Sequence, residues 1–386
     1  MKNLALALTL ACVLAPASTR AQNAYITNLG SDTVSVIATT TNTVVGLPIP
    51  VGVSPLGAAV TPDRSKVYVT NHVSSTVSVI DSASNSVSAT IPVSASPFGV
   101  AVTPDGSKVY VAHDTTPGSV SVIDTATNTV VGLSIPVSAS AVGVAVAPDS
   151  SKVYVATTIR VGRGSGGVSV IDTATNAVSA TIPIDRFHNG VVVTPDGSKV
   201  YVAGSRGGFG GGGARGSVSV IDTVTNAVIA TVPVGFSPFG VAVTPDGSKV
   251  YVANEGSNTV SVIDTATNTV IGSPIPVGLG AAGIAVTPDG SKAYVANEGS
   301  NTVAIIDTAT NTVIGSPIPV GDQPVAFGVF ILPAPKFAGV PGAKNCHGTS
   351  VSALATKFGG LNAAAAALGF SDVQGLQDAI HTFCGG

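Results

Sequence analysis

The stretch GVAVTPDGSKVYVANEGSNTVSVIDTATNTVIGSPIPV at residues 240–277 decides the fold of the chain. It has the pattern of four short β-strands, rich in Val, Ile, Thr and Tyr and separated by turn residues. The two tight turns are predicted at Pro245–Ser248 and Thr265–Asn268, because Pro fixes φ while Gly and Asn accept turn conformations. The predicted strands cover residues 240–244, 249–254, 259–264 and 269–277. Each such stretch therefore predicts one antiparallel four-stranded sheet.

This unit recurs along the chain, and the tyrosines mark its period. The chain has seven tyrosines, and all of them occupy the same position in the unit: Tyr25, Tyr68, Tyr110, Tyr154, Tyr201, Tyr251 and Tyr294. Their spacings run from 42 to 50 residues. A repeat of this length is typical of a blade-like or solenoid array.

Each predicted sheet is apolar on both faces, since Val67 and Val69 point one way and Tyr68 the other. Radial packing against two neighbouring sheets covers both faces, so a closed β-propeller is predicted. A β-helix or open solenoid is the alternative, but four strands per repeat suit a blade better. The composition agrees with an all-β fold: 45% of the 386 residues are hydrophobic, 10% are charged, and there are 45 Gly and 25 Pro. It excludes a disordered chain, a coiled coil and a helical bundle.

The ends of the array predict how the ring closes. The first unit lacks its first strand, because its tyrosine strand begins at once with Ala24–Asn28. The last unit is followed by a spare first strand, Phe327–Leu332. Joining the two gives seven blades over residues 22–333, with a C-terminal strand completing the N-terminal blade.

The repeat resembles a known family through motifs such as YITN at 25–28, YVTN at 68–71, TPDGSKVYV at 103–111 and IDTATN at 123–128. These are similar to the YVTN-type β-propeller repeat of bacterial secreted propellers and archaeal surface-layer proteins. The resemblance covers residues 24–333 and implies a seven-bladed propeller, but no fixed reaction. Four positions depart from the pattern without weakening the assignment: Ala38, Arg64, Ala147 and Ser150.

The N-terminus has the features of a secretory signal peptide over residues 1–21. Lys2 is followed by an apolar segment from Leu4 to Leu14, and Thr19-Arg20-Ala21 is a cleavage site of small-residue type. Lipidation at Cys12 is a weaker alternative. No later apolar run reaches the roughly 18 residues that span a bilayer. An exported protein, periplasmic or extracellular, is therefore predicted.

The C-terminal segment is predicted to be a separate small unit. Residues 334–345 have the composition of a linker, and residues 346–386 have a helical pattern. So short a unit needs a covalent staple. In an oxidising compartment, Cys346 and Cys384 are predicted to form a disulfide, with free or metal-bound thiols as the alternative.

One face of the predicted disc is regular. Its turns repeat an aspartate in six blades, and these carboxylates are expected to accept hydrogen bonds from turn N–H groups: Asp81, Asp124, Asp172, Asp222, Asp264 and Asp307. One carboxylate per blade is a poor cation cage. No metal, cofactor or catalytic residue is predicted.

The opposite face is irregular in the fourth and fifth blades. Two loops are expanded there, at residues 158–167 and 204–216, and residues 185–189 replace the usual connection. These segments gather a candidate partner-binding set: Arg160, Arg163, Arg186, Phe187, His188, Arg206, Phe209 and Arg215. Arginines beside aromatics suit a protein or an anionic ligand. Ordinary solvated arginines in Gly-rich loops are the competing interpretation.

The resulting hypothesis is a secreted, non-catalytic propeller that binds a partner through this variable face. A structural envelope or surface-layer component is an alternative that predicts self-association. A third hypothesis is an enzyme, because secreted propellers that resemble this one include lactonase-like and lyase-like enzymes. Only Asp185, His188 and Asp322 lie near the predicted channel mouth for such a role. The net charge of −3 disfavours nucleic-acid binding.

Overall fold

Seven antiparallel sheets, one for each tyrosine-bearing repeat, make up a seven-bladed β-propeller. The computed structural model describes residues 23–159, 166–184, 187–205 and 215–331, and in the tail residues 347, 350–352, 354–355, 360–368, 370 and 373–384. Residues 22–334 form one compact unit, and the tail helices belong to a second.

The strands of the first four blades follow the sequence in order. In blades 2, 3 and 4 they run from the first strand at the propeller axis to the fourth at the rim, whereas blade 1 begins with its tyrosine strand, which has the second position. Their bounds are β1 Asn23–Asn28, β2 Thr33–Ala38, β3 Thr43–Val44 and β4 Ile49–Pro50 in blade 1; β5 Pro55–Val60, β6 Lys66–Asn71, β7 Thr76–Asp81 and β8 Ser86–Pro92 in blade 2; β9 Pro97–Val102, β10 Lys108–His113, β11 Ser119–Asp124, β12 Thr129–Val130 and β13 Ile135–Pro136 in blade 3; and β14 Ser140–Val146, β15 Lys152–Thr158, β16 Gly167–Asp172 and β17 Ala177–Pro183 in blade 4.

The remaining blades repeat the arrangement, and two of them add a single 3₁₀ turn. Their bounds are β18 Phe187–Val193, β19 Lys199–Ser205, β20 Arg215–Asp222 and β21 Ala227–Phe236 in blade 5; β22 Pro238–Val243, β23 Lys249–Asn254, the 3₁₀ turn Glu255–Ser257, β24 Thr259–Asp264, β25 Thr269–Val270 and β26 Ile275–Pro276 in blade 6; and β27 Ala281–Val286, β28 Lys292–Asn297, the 3₁₀ turn Glu298–Ser300, β29 Thr302–Asp307, β30 Thr312–Val313 and β31 Ile318–Pro319 in blade 7.

The prediction of one continuous fourth strand in each blade is wrong for blades 1, 3, 6 and 7. In the quoted repeat it divides into β25 and β26, which both pair with β24. The break lies at Gly272, whose φ of 70° is left-handed. The corresponding glycines of the other three blades have φ between 68° and 69°. In blades 2, 4 and 5 the fourth strand is continuous.

The core of the ring lies between the blades and is built around the tyrosines. All seven tyrosine side chains are at most 1% exposed. Tyr68 packs with Val77, Val79 and Val109, so each interface joins the tyrosine of one sheet to valines of the next. Burying an aromatic ring and several branched side chains at each interface supplies the main stabilisation.

A hydrogen bond between neighbouring blades also uses each tyrosine. The Tyr68 hydroxyl donates to Asn128 Oδ1 at 2.7 Å, and Asn128 has a left-handed φ of 54° in its turn. The same bond occurs at six of the seven interfaces, including that between blades 7 and 1. The interface of blades 4 and 5 differs, because the buried Asn226 Oδ1 has no hydrogen-bond partner among the residues that the structure describes.

The segment after blade 7 bonds to the first two blades. The N–H of Tyr25 donates to the carbonyl of Phe330 at 2.8 Å, and the N–H of Val325 donates to the carbonyl of Thr27 at 2.9 Å. Isolated bridges, rather than the regular strand predicted over Phe327–Leu332, join this segment to β1. Leu332 lies outside the described residues.

The tail contains helices α1 (Leu361–Leu368) and α2 (Val373–Phe383). Its apolar cluster is formed by Leu354, Ala364, Ala365, Leu368, Phe370, Leu376 and Ile380. Cys346 lies outside the described residues, so the Cys346–Cys384 disulfide stays a prediction, as does the signal peptide at residues 1–21.

Candidate functional site

The two faces of the disc differ in what their connections do. We call the side with the first-to-second and third-to-fourth strand turns the turn face. The side with the second-to-third loops and the connections between blades is the loop face. On the turn face, the repeated aspartates hold their own turns. Asp124 Oδ1 accepts hydrogen bonds from the N–H and the hydroxyl of Thr127, at 2.8 and 2.9 Å.

The same hydrogen bond from a turn N–H is present at all six aspartates of the predicted set, so that prediction is confirmed. These bonds lower the pKa of the Asp124 carboxyl, since they stabilise its charged form. The carboxylates therefore act as hydrogen-bond acceptors within their own turns.

At the propeller axis, a ring of glycines lets the first strands approach each other closely. A Cβ on Gly143 would lie 2.2 Å from the carbonyl oxygen of Asn189, and one on Gly240 would lie 2.4 Å from that of Ala282. A Cβ on Gly57, Gly99 or Gly190 would likewise lie 2.3 to 2.6 Å from a backbone carbonyl oxygen of the next blade. Backbone contact at this distance admits no side chain, so these positions require glycine.

A plug of apolar side chains closes the axis at the loop face. It is formed by Leu56, Phe98, Val142, Phe239, Ala282, Val325 and Phe327. The ring centroids of Phe98 and Phe327 lie 5.6 Å apart, and those of Phe239 and Phe327 lie 5.1 Å apart, both edge to face. Below the plug lies a cavity of about 20 Å³ lined by Val100, Val144, Val191 and Val241, among others. That volume holds about one water molecule.

Beside the plug, a polar clamp joins the second and third strands of several blades. Asn71 Nδ2 donates to the hydroxyls of Thr76 and Ser78, at 3.0 and 2.9 Å. In blade 3, His113 takes the asparagine position, and its Nε2 lies 2.8 Å from Ser121 Oγ. Burial lowers the pKa of His113 to about 4, so the ring is neutral at pH 7 and acts as a structural residue.

Blades 4 and 5 lack this clamp, because Thr157 and Gly204 replace the asparagine. Ser169, which has the position of Ser78, is buried and its hydroxyl has no hydrogen-bond partner among the described residues. Asn189 takes the plug position held by Phe98 and Phe239, and its buried Oδ1 is likewise unpaired in the described part of the chain. The loop face therefore has different clamp and plug residues in blades 4 and 5, where the loops are expanded.

Most of the predicted binding set lies outside the described residues: Arg160, Arg163, Arg186, Arg206, Phe209 and the side chain of Phe187. Arg215 is exposed at the start of β20. His188 is 0% exposed, and its Nδ1 lies 3.2 Å from the carbonyl of Thr157. Its ring fits there because Gly166 has no Cβ, which would lie 3.0 Å from Nδ1. The His188 side chain therefore contributes no solvent-exposed surface.

The structure adds apolar residues to the loop face that sequence reasoning missed. Val53, Val73, Phe236 and Leu279 are 41% to 64% exposed, although they are large and hydrophobic. Three of them share a signal in the sequence, since each follows Val-Gly at the connection to the next blade. The N–H of Val73 donates to the carbonyl of Val53 at 3.3 Å, so these two lie together.

Two carboxyl groups border this apolar surface. A Cβ on Gly256, next to Glu255, would lie 3.2 Å from Phe236 Cβ, and one on Gly299, next to Glu298, would lie 3.2 Å from Leu279 Cβ. Burial raises the pKa of both Glu255 and Glu298, and the charge of Glu298 raises that of Glu255 further. Among the described residues, no three His, Cys, Asp or Glu side chains group as metal ligands would.

Comparison with known proteins supports a propeller and gives no single function. Residues 144–278 match the choice-of-anchor I domain family, which supports an extracellular or cell-surface protein. No curated protein matches the chain. None of the helices in the described part is long and apolar enough to cross a membrane.

Solved structures are similar over most of the chain. The hydrazine synthase of Kuenenia stuttgartiensis superposes with a TM-score of 0.68 at 27% identity, covering 74% of this chain and 92% of that chain. A protein of unknown function from Desulfotomaculum acetoxidans gives 0.63 at 20% identity, covering 80% and 100%. A dihydro-heme d1 dehydrogenase gives 0.56 at 16% identity, covering 78% and 74%. The last two show the fold alone.

Proposed function

We propose that this protein is an exported, non-catalytic propeller that binds a protein or anionic partner through its loop face. The observation that carries the proposal is the contrast between the two faces. The turn-face aspartates are engaged in their own turns, whereas the loop face exposes large apolar side chains around a filled axis.

A filled axis supports binding on the surface rather than inside the channel. The cavity of about 20 Å³ below the plug has room for about one water molecule, which favours a partner that binds on the surface. A partner would instead rest on the plug and contact Phe236 and Leu279 at its margin. Exposed aromatic and aliphatic side chains around a rigid centre are typical of interface cores.

The arginine sector would supply the polar margin of the same surface. Arg215 is exposed beside Phe236, with which it pairs in the register of β20 and β21. Arg160, Arg163, Arg186 and Arg206 belong to neighbouring loops in the sequence. Guanidinium groups at the rim of an apolar surface would select a partner with carboxylates or phosphates.

Export and the closure of the ring complete the proposal. The signal peptide predicted at residues 1–21, the resemblance to YVTN-type repeats and the choice-of-anchor match all suit an exported protein. We infer that residues 325–331 act as the missing first strand of blade 1, since Tyr25 and Thr27 bond to them. The predicted Cys346–Cys384 bridge would staple the tail.

An enzymatic role is the alternative, because two structural neighbours carry the names of enzymes. It would centre on the loop-face end of the axis, where Asp185, His188 and Asp322 were predicted near the channel mouth. Asp185 lies outside the described residues, and Asp322 Oδ1 accepts a hydrogen bond from Asn301 Nδ2 at 2.9 Å. A turnover on lactones or esters that is lost in His188→Ala would favour this alternative.

The test is affinity capture from envelope and medium fractions with the mature protein as bait. A first variant changes Arg160, Arg163, Arg186, Arg206 and Arg215 to Ala, and a second changes Phe236 and Leu279 to Ser. The control is Val224→Ala on the turn face. We expect one partner that wild type and control retain and both loop-face variants lose. Equal capture by all four baits would contradict the proposal.

A further inference from the structure

The fourth strand of every blade is a sheet edge, and most of these edges are interrupted. An uninterrupted edge presents unpaired backbone N–H and C=O groups to any other strand. In blades 1, 3, 6 and 7 the left-handed glycine divides the edge into pieces of two residues each. The continuous edges are β8, β17 and β21, with 7, 7 and 10 residues.

Among the three continuous edges, β21 of blade 5 is the most apolar. Ile229 is 50% exposed where β8 has Ser88 and β17 has Ser179. Val224, in the turn before β21, is 87% exposed where the other blades with this turn have Ala. Val228 adds a third apolar side chain at 39% exposure. β21 ends the order of its sheet, so none of the described strands pairs with its outer edge.

We propose that β21 is a dimerisation edge, pairing antiparallel with β21 of a second copy of this chain. The pairing would continue the four-stranded sheet of blade 5 into an eight-stranded sheet across the two molecules. The backbone of each edge would gain hydrogen bonds except at Pro233, which has no N–H, and Val228 and Ile229 of each copy would pack against the second half of the other copy's strand.

The charges of blade 5 favour a second copy in the antiparallel sense. Residues 227–236 carry no charged side chain, so two copies bring no like charges together. Asp222 lies beside the start of β21 and Arg215 beside its end, as the register with β20 shows. Antiparallel pairing therefore brings the acidic end of one copy toward the basic end of the other, whereas parallel pairing would bring like charges together.

The number of such edges limits the assembly to a dimer. β8 and β17 carry Ser at the position where β21 exposes Ile229, so only one apolar continuous edge is present among the described strands. One self-complementary edge per molecule gives an isologous contact, which closes at two copies rather than growing into a filament.

The test is sedimentation velocity of the mature protein from 1 to 100 µM, a range chosen for a contact of one strand pair. Thr231→Lys places a charge on the edge of β21, and its matched control is Thr90→Lys at the same position of β8. A milder variant, Val224→Ala with Ile229→Ser, gives blade 5 the residues that other blades already have. Circular dichroism checks the fold of each variant.

We expect a monomer–dimer equilibrium that Thr231→Lys weakens at least tenfold and that the double variant also weakens, with Thr90→Lys unchanged. A monomer at every concentration would overturn the proposal. So would a dimer that all three variants leave unaltered. Thr231→Lys is expected to retain any partner captured by the loop face, so this test and that of the proposed function fail independently.

Discussion

The hydroxyl of Tyr294 donates a hydrogen bond to Asn42 Oδ1 at 2.6 Å, although the two residues are 252 positions apart. The bond joins blade 7 to blade 1 in the same way that Tyr251 and Asn311 join blades 6 and 7. Its donor is buried, and its acceptor lies in a turn with a left-handed φ of 57°. The first and last repeats therefore meet through the contact used inside the ring.

Removing one such hydroxyl tests how much this contact stabilises the ring. Tyr251→Phe leaves the half-buried Asn311 Oδ1 with only the 3.5 Å hydrogen bond from Lys249 Nζ, so we expect a loss of about 1 kcal/mol in the free energy of unfolding. Denaturant titration followed by circular dichroism measures it. Tyr154→Phe is the matched control, because Asn226 Oδ1 is already unpaired, and we expect it to change stability little. Equal losses in the two variants would contradict this account.

The glycines at the axis predict a steric effect. Gly143→Ala places a Cβ 2.2 Å from the carbonyl oxygen of Asn189, and backbone on both sides must move. We expect a loss of several kcal/mol or a failure to fold, as for other overpacked sites. Gly272→Ala is the control, since its Cβ meets nothing within 4 Å and only the left-handed φ opposes it. Its cost should stay near 1 kcal/mol, measured by thermal unfolding.

His113 predicts a dependence of stability on pH. Burial lowers its pKa in the folded state to about 4, while the unfolded chain takes up the proton near 6.5. The unfolded state therefore binds more protons between these values, so stability is full above pH 6.5 and falls as the pH drops toward 4. The two pKa values correspond to a loss of about 3 kcal/mol.

The matched variant for this residue is His113→Asn, because asparagine has the same position in blades 1, 2, 6 and 7. We expect this variant to fold and to lose less unfolding free energy than wild type as the pH falls from 6.5 to 4. Unfolding titrations at several pH values compare the two proteins. Parallel pH profiles would show that His113 does not titrate as described.

The cysteine pair predicts a redox effect confined to the tail. A bridge between Cys346 and Cys384 closes a loop of about 38 residues, worth roughly 3–4 kcal/mol in the chain-entropy model. We expect no free thiol in the mature protein under oxidising conditions, by thiol titration. Cys384→Ser should make the tail sensitive to protease while leaving the propeller resistant. Two reactive thiols in the unreduced mature protein would contradict the pairing.

The repeat pattern predicted the propeller because its determinants are local. Lys249–Asn254 and Thr259–Asp264 were predicted with the bounds that the structure gives. The break at Gly272 was missed, since the flanking Thr, Val and Ile residues all favour a strand. A left-handed φ depends on where the chain must bend, and the residue pattern alone did not reveal it.

The candidate site was less predictable, because it depends on contacts between distant residues. The burial of His188 follows from Gly166 and Thr157 in another blade, which no local pattern records. The exposure of Phe236 and Leu279 follows from the geometry of the connections between blades. The hydrogen bonds of five tyrosines to asparagines 60 to 67 positions away were likewise hidden, although both residue types were recognised as parts of the repeat.

The plug also has a consequence for the order in which the molecule is completed. Phe98 and Phe239 belong to blades 3 and 6, whereas Phe327 follows the last blade in the sequence and contacts both rings. Until the ribosome has made residue 327, a nascent chain lacks the aromatic ring that packs between Phe98 and Phe239. Phe327 is thus the last ring added to the plug, and a prematurely terminated chain would expose the apolar side chains of the plug to chaperones and proteases.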